Sequence, residues 1–62
     1  MLFRVPNMSC GHCVATITSA VREVDAEAVV KADTELRQVN IVTQTDQEVL
    51  RQALAKAGYP AD

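Results

Sequence analysis

Apolar and polar positions alternate through Leu2-Phe3-Arg4-Val5, predicting a short strand with Phe3 and Val5 on one face. Pro6 ends it, because it cannot donate to a sheet ladder. Residues 7–10 read as a loop. From Gly11 the period lengthens: Cys13 or Val14, Ile17, Ala20, Val21 and Val24 share one face, with Arg22 and Glu23 opposite, which predicts a helix over 12–23. Ala28-Val29-Val30-Lys31-Ala32 returns to alternation, with Ala28, Val30 and Ala32 inward. Asp33-Thr34-Glu35 turns the chain, and Leu36 to Val42 alternates again with Val39 and Ile41 inward. The two strands form an antiparallel hairpin.

Thr45-Asp46-Gln47-Glu48 matches a capping box, with Thr45 and Glu48 satisfying orphan amides at the start of a second helix. Leu50, Ala53, Leu54 and Ala57 then line one face, and Lys56 and Gly58 are stop signals. Tyr59-Pro60-Ala61-Asp62 has room for a vestigial last strand at most. Right-handed crossovers turn this order into an α+β, ferredoxin-like βαββαβ sandwich: an antiparallel sheet, both helices on one face, the last strand short or absent. The first strand is expected to be central. There are no repeats, linkers or low-complexity stretches, so residues 1–62 read as one domain.

Length narrows the chemistry. A chain of 62 residues buries only about 60% of its unfolded surface and has no room for an enclosed substrate cavity. With 48% of residues hydrophobic and 23% charged, the composition is that of a folded domain. The net charge is −2 and the six basic residues are scattered, which argues against nucleic acid as a partner. No apolar run approaches the ~20 residues of a membrane span, so no direct membrane insertion is expected. Met1-Leu2-Phe3-Arg4-Val5-Pro6 lacks the long apolar core and cleavage site of a signal peptide. The expected location is therefore cytoplasmic, where thiols stay reduced.

That expectation bears on Met8-Ser9-Cys10-Gly11-His12-Cys13, which holds both cysteines and the only histidine. In a reducing compartment a Cys-x-x-Cys pair points to metal binding or redox catalysis rather than a structural staple. Thiolates are soft ligands that select Cu(I), Zn(II) and comparable ions. A structural zinc site needs four protein ligands, and two cysteines with one histidine do not close one. Cu(I) fits two thiolates better, with Hg(II) or Ag(I) as chemical mimics. Cys13 falls in the first helical turn, where the dipole stabilises a thiolate, and Gly11 is expected to relieve crowding around an ion. Met8 reads as core filler or a thioether ligand, and His12 as a solvent-facing residue, a third ligand or a proton source.

The segment Met8-Ser9-Cys10-Gly11-His12-Cys13 resembles the M-x-C-x-x-C signature of the heavy-metal-associated domain family. That family includes cytosolic copper chaperones and the N-terminal modules of metal-transporting P-type ATPases. The resemblance covers nearly the whole chain, and Ala57-Gly58-Tyr59 is similar to bacterial copper chaperones. It implies Cys10 and Cys13 as metal ligands, with Tyr59 beside the metal loop, packing and shielding, and His12 as a second auxiliary candidate. It further implies a non-enzymatic Cu(I) chaperone that passes its ion to a metal-transporting P-type ATPase or that pump's N-terminal domain. Such a protein is a monomer when apo, with a metal-bridged dimer possible at excess metal. Two departures stand out: Asn7 replaces a usual glycine, and the fourth strand is truncated. Ser9 before the first cysteine resembles copper members, where zinc members carry aspartate.

Three alternatives remain at this point. One is an Hg(II)- or Zn(II)-handling module. Another is a domain of a larger transporter or reductase, against which Met1 and the short tail favour a stand-alone chaperone. The third is a small dithiol redox protein. That last reading lacks the aromatic residue usual before the first cysteine and about half the length of a thioredoxin-like scaffold.

Overall fold

The computed structural model describes all 62 residues. Its elements are β1 (Leu2–Arg4), α1 (Gly11–Val24), β2 (Val29–Asp33), β3 (Gln38–Val42) and α2 (Gln47–Lys56). The α+β sandwich is as expected, with the last strand absent. The strands form one antiparallel sheet in the order β1-β3-β2, with Phe3 opposite Val39 and Val30 opposite Ile41.

The expected central first strand is corrected: β3 is central and β1 is an edge. Placing β1 centrally requires a strand on its far side. There the tail supplies one backbone bond, from the Asp62 amide to the Arg4 carbonyl (2.8 Å), so residues 59–62 build no ladder. Arg51 holds the tail through the Asp62 carbonyl (3.0 Å) and lies over the Phe3 ring.

One sheet face is buried and the other open, as period-2 patterning requires. Phe3, Val39 and Ile41 pack inward against Ile17 and Val21 of α1 and Leu50 and Leu54 of α2. Leu2, Lys31, Asn40 and Val42 face solvent. Both helices therefore cover the same face. Val5 and Met8, beyond the end of β1, complete this core beneath the loop to α1.

Two boundaries move for local reasons. β3 begins at Gln38 rather than Leu36, because the Asp33 carboxylate accepts from the amides of Glu35 (3.0 Å) and Leu36 (3.1 Å) and closes a turn over 34–37. Leu36 is left exposed. The N-cap of α2 is Asp46 rather than Thr45: its side chain accepts from the Glu48 amide at 2.9 Å. The Thr45 amide donates instead to the Thr43 hydroxyl, which itself donates to Asp25 just past α1. That hydroxyl, then the Glu27 amide, hold the Asp25 carboxyl below its ordinary range.

The end of α2 sets the position of Tyr59. Gly58 adopts φ +92, the left-handed conformation that glycine reaches without a Cβ penalty. The Gly58 amide bonds back to the Ala55 carbonyl (3.0 Å) and the Tyr59 amide to the Leu54 carbonyl (2.9 Å). This is the Schellman pattern. It reverses the chain and turns Tyr59 toward the loop that carries the cysteines.

Candidate metal centre

The candidate site is a loop-to-helix junction. The Met8 amide donates to the Val5 carbonyl (3.0 Å), folding residues 5–8 into a turn, and the fully buried Met8 side chain anchors it from below. Met8 is thus core filler, its thioether sealed in the interior. Ser9 and Cys10 then lead into α1, with Cys10 at the N-cap in an extended conformation (φ −151, ψ 171). The Cys10 carbonyl accepts the Val14 amide, so the second cysteine lands within the first turn.

The two thiols come together. Their Sγ atoms lie 3.4 Å apart, well beyond the ~2.05 Å of a disulfide, and both cysteines are free. Their access differs: Cys10 is exposed, while Cys13 is 7% exposed and belongs to the hydrophobic core.

The Cys13 thiol is lowered to about 6. The backbone amide of Ser9 is the largest cause, followed by the Tyr59 hydroxyl and the Cys10 thiol, against an opposing effect of burial. The expected lowering is present, and a loop amide is its largest single cause. Tyr59 is half-buried against the core, and its own ionisation is pushed up, first by the hydrogen bond to Cys13 and then by burial. Tyr59 thus lies beside Cys13, where the resemblance places it.

His12 is exposed at the start of α1. No three His, Cys, Asp or Glu side chains cluster in the protein. Gly11 does not adopt the left-handed conformation, and a Cβ there meets no protein atom within 4 Å. The residue missed by sequence reasoning is Arg37, whose guanidinium reaches the Pro6 carbonyl (3.1 Å) from the β2–β3 turn. Thirty-one residues separate the partners, and no local pattern announces the contact.

The family model of the heavy-metal-associated domain matches residues 2–60, and the chain belongs to that family. The chain is 33% identical over 58 residues to the COP-associated protein of Helicobacter pylori, covering 90% of this chain and 88% of that protein. It is 35% identical over 60 residues to the mercuric transport protein periplasmic component of Pseudomonas aeruginosa, covering 92% of this chain and 66% of that protein. Among solved structures it is similar to the copper chaperone Atx1 from Synechocystis in a trimeric copper form, with a TM-score of 0.97 and 35% identity. That match covers 100% of this chain and 98% of the other. The fold, with its metal-handling class, is thereby shown. No helix is long and apolar enough to cross a membrane.

Proposed function

We propose that this protein is a soluble Cu(I) carrier that holds the ion between the Cys10 and Cys13 thiolates. The observation that carries the reading is a pair of sulfurs 3.4 Å apart, one exposed and one buried, with no third ligand clustered beside them. Two soft donors suit a d¹⁰ ion content with low coordination. A structural zinc ion lacks half its usual ligands here.

The asymmetry supports transfer rather than storage. An incoming thiolate reaches the metal from the Cys10 side, forms a new metal–sulfur bond, and the bond to Cys10 breaks. Cys10 then takes up the proton that the incoming thiol gave up. Cys13, held as a thiolate by the Ser9 amide and Tyr59, releases the ion last. The ion keeps its oxidation state and no substrate is converted, so the protein acts as a carrier and not as an enzyme. We assign the receiving thiol to a metal-transporting P-type ATPase or its N-terminal domain, in the cytoplasm. Residues 1–62 act as one domain, monomeric without metal, and two chains share copper through their exposed Cys10 sulfurs only at excess metal. Tyr59 shields the site, and His12 stays in solvent.

Resemblance to the mercuric transport relative supports a second reading, in which the same two sulfurs take Hg(II). Competition of Cu(I), Zn(II) and Hg(II) against chelators, under anaerobic conditions, tests both. The Cu(I) reading expects one tightly held copper per chain, only weakly held in Cys10→Ser and Cys13→Ser, and weak zinc. Tight zinc with weak copper would overturn it.

A further inference from the structure

Arg37 is the only non-glycine residue with a left-handed backbone, at φ 55. L-residues with a Cβ are disfavoured there, and glycine or asparagine are the usual occupants. A long cationic side chain at such a position calls for a reason, and its contacts supply one. The Arg37 carbonyl accepts the Val5 amide (2.8 Å). Its guanidinium donates through Nη1 to the next carbonyl, that of Pro6 (3.1 Å). The backbone and side chain of one residue thus grip two consecutive residues at the mouth of the cysteine loop. Val5 accepts in turn from Met8, so the gripped segment is the turn from which Ser9 and Cys10 emerge. Cys10 makes no side-chain cap bond to α1, so its carbonyl bond to the Val14 amide and this turn fix its backbone between them.

We propose that Arg37 is a positioning residue for the metal loop: its guanidinium holds the Pro6 carbonyl, limits the motion of residues 7–10, and so slows loss of the metal. The proposal rests on the reading of Cys10 and Cys13 as the metal pair. The bond is solvent-exposed, so its effect is modest, about threefold in rate for an exposed bond. The alternative is an ordinary turn residue whose long side chain merely lies along the surface.

Arg37→Asn separates the two, because asparagine tolerates the left-handed backbone yet cannot reach Pro6. The expected result is a Tm equal to or above that of the parent. In the apo protein, Cys10 alkylates about threefold faster, and the amides of residues 7–10 exchange faster. Copper passes to a chelator about threefold faster, and Arg37→Lys restores part of each effect. Lys31→Ala, which removes a positive charge from the open sheet face, changes none of them. Parent-like Cys10 labelling and loop exchange in Arg37→Asn would overturn the inference. So would faster exchange spread equally through β2 and β3, since that marks a merely structural residue. The apo measurements decide the role of Arg37 even if the parent protein fails to bind copper, an outcome that would sink the metal reading alone.

Discussion

Cys10 and Cys13 present their sulfurs to one another at 3.4 Å from opposite sides of a solvent boundary, Cys10 outside and Cys13 in the core. This pairing separates two properties that govern thiol reactivity, access and thiolate fraction. Cys13 has the low ionisation range and Cys10 has the access. Access dominates when one sulfur is nearly enclosed, so limiting alkylation of the apo protein at neutral pH labels Cys10 first. Peptide mapping reads the order, and Cys13 labelling as fast as Cys10 would contradict it.

The Cys13 thiol also makes stability depend on pH. Its folded value, about 6, lies below the ordinary value of 9.0, so between these pH values the unfolded chain binds more protons at this site. The contribution is fully present above pH 9 and is lost as pH falls through 6. Urea unfolding of the metal-free protein should therefore show stability rising from pH 6 to 9, with a flatter dependence in Cys13→Ser. Equal slopes in the two proteins would remove the claim that the fold holds a thiolate there.

Tyr59 contributes to that thiolate through its hydroxyl, second only to the Ser9 amide. In Tyr59→Phe the ring still packs and the hydroxyl is gone. Ultraviolet titration of the thiolate should place Cys13 above its parent value, with a nearly unchanged Tm. Tyr59→Ala goes further: the fold persists, and bound copper becomes easier to oxidise and to extract. An unmoved thiol titration together with unchanged chelator off-rates would reduce Tyr59 to packing alone.

Asp46 caps α2 and Thr45 does not. Asp46→Ala is expected to cost about 1 kcal/mol, which in a domain of this size lowers Tm by about 4–8 °C. Thr45→Ala should cost much less, since the Thr45 amide, not its side chain, makes the recorded bond. Thermal melts that rank the two variants the other way would restore the capping box.

The elements and most of the site are legible because both rest on local signals. Period-2 and period-3.6 patterning places Phe3, Val39, Ile41, Ile17 and Leu54 in the core, and the cysteine spacing brings the sulfurs together once α1 begins at Gly11. What pattern misses is partnership over distance. The edge position of β1 depends on the tail offering one hydrogen bond instead of a ladder, and Asp62 gives no sign of that. The late start of β3 depends on the Asp33 carboxylate capturing two amides, which competes with the alternation through Leu36. The Ser9 amide is invisible to sequence because every residue but proline has one, and only the turn at residues 5–8 aims it. Tyr59 was found through resemblance, and the reason it lies beside Cys13 is the reversal at Gly58.

The account stands most directly on what surrounds the bound ion. X-ray absorption at the copper edge, on protein loaded anaerobically with one equivalent of Cu(I), reads the donors without reference to activity or partner. Two sulfur neighbours per copper are expected, falling to one in Cys10→Ser at the weak occupancy that variant retains. Coordination dominated by nitrogen or oxygen, or two sulfurs persisting in Cys10→Ser, would contradict the assignment of Cys10 and Cys13 as the site.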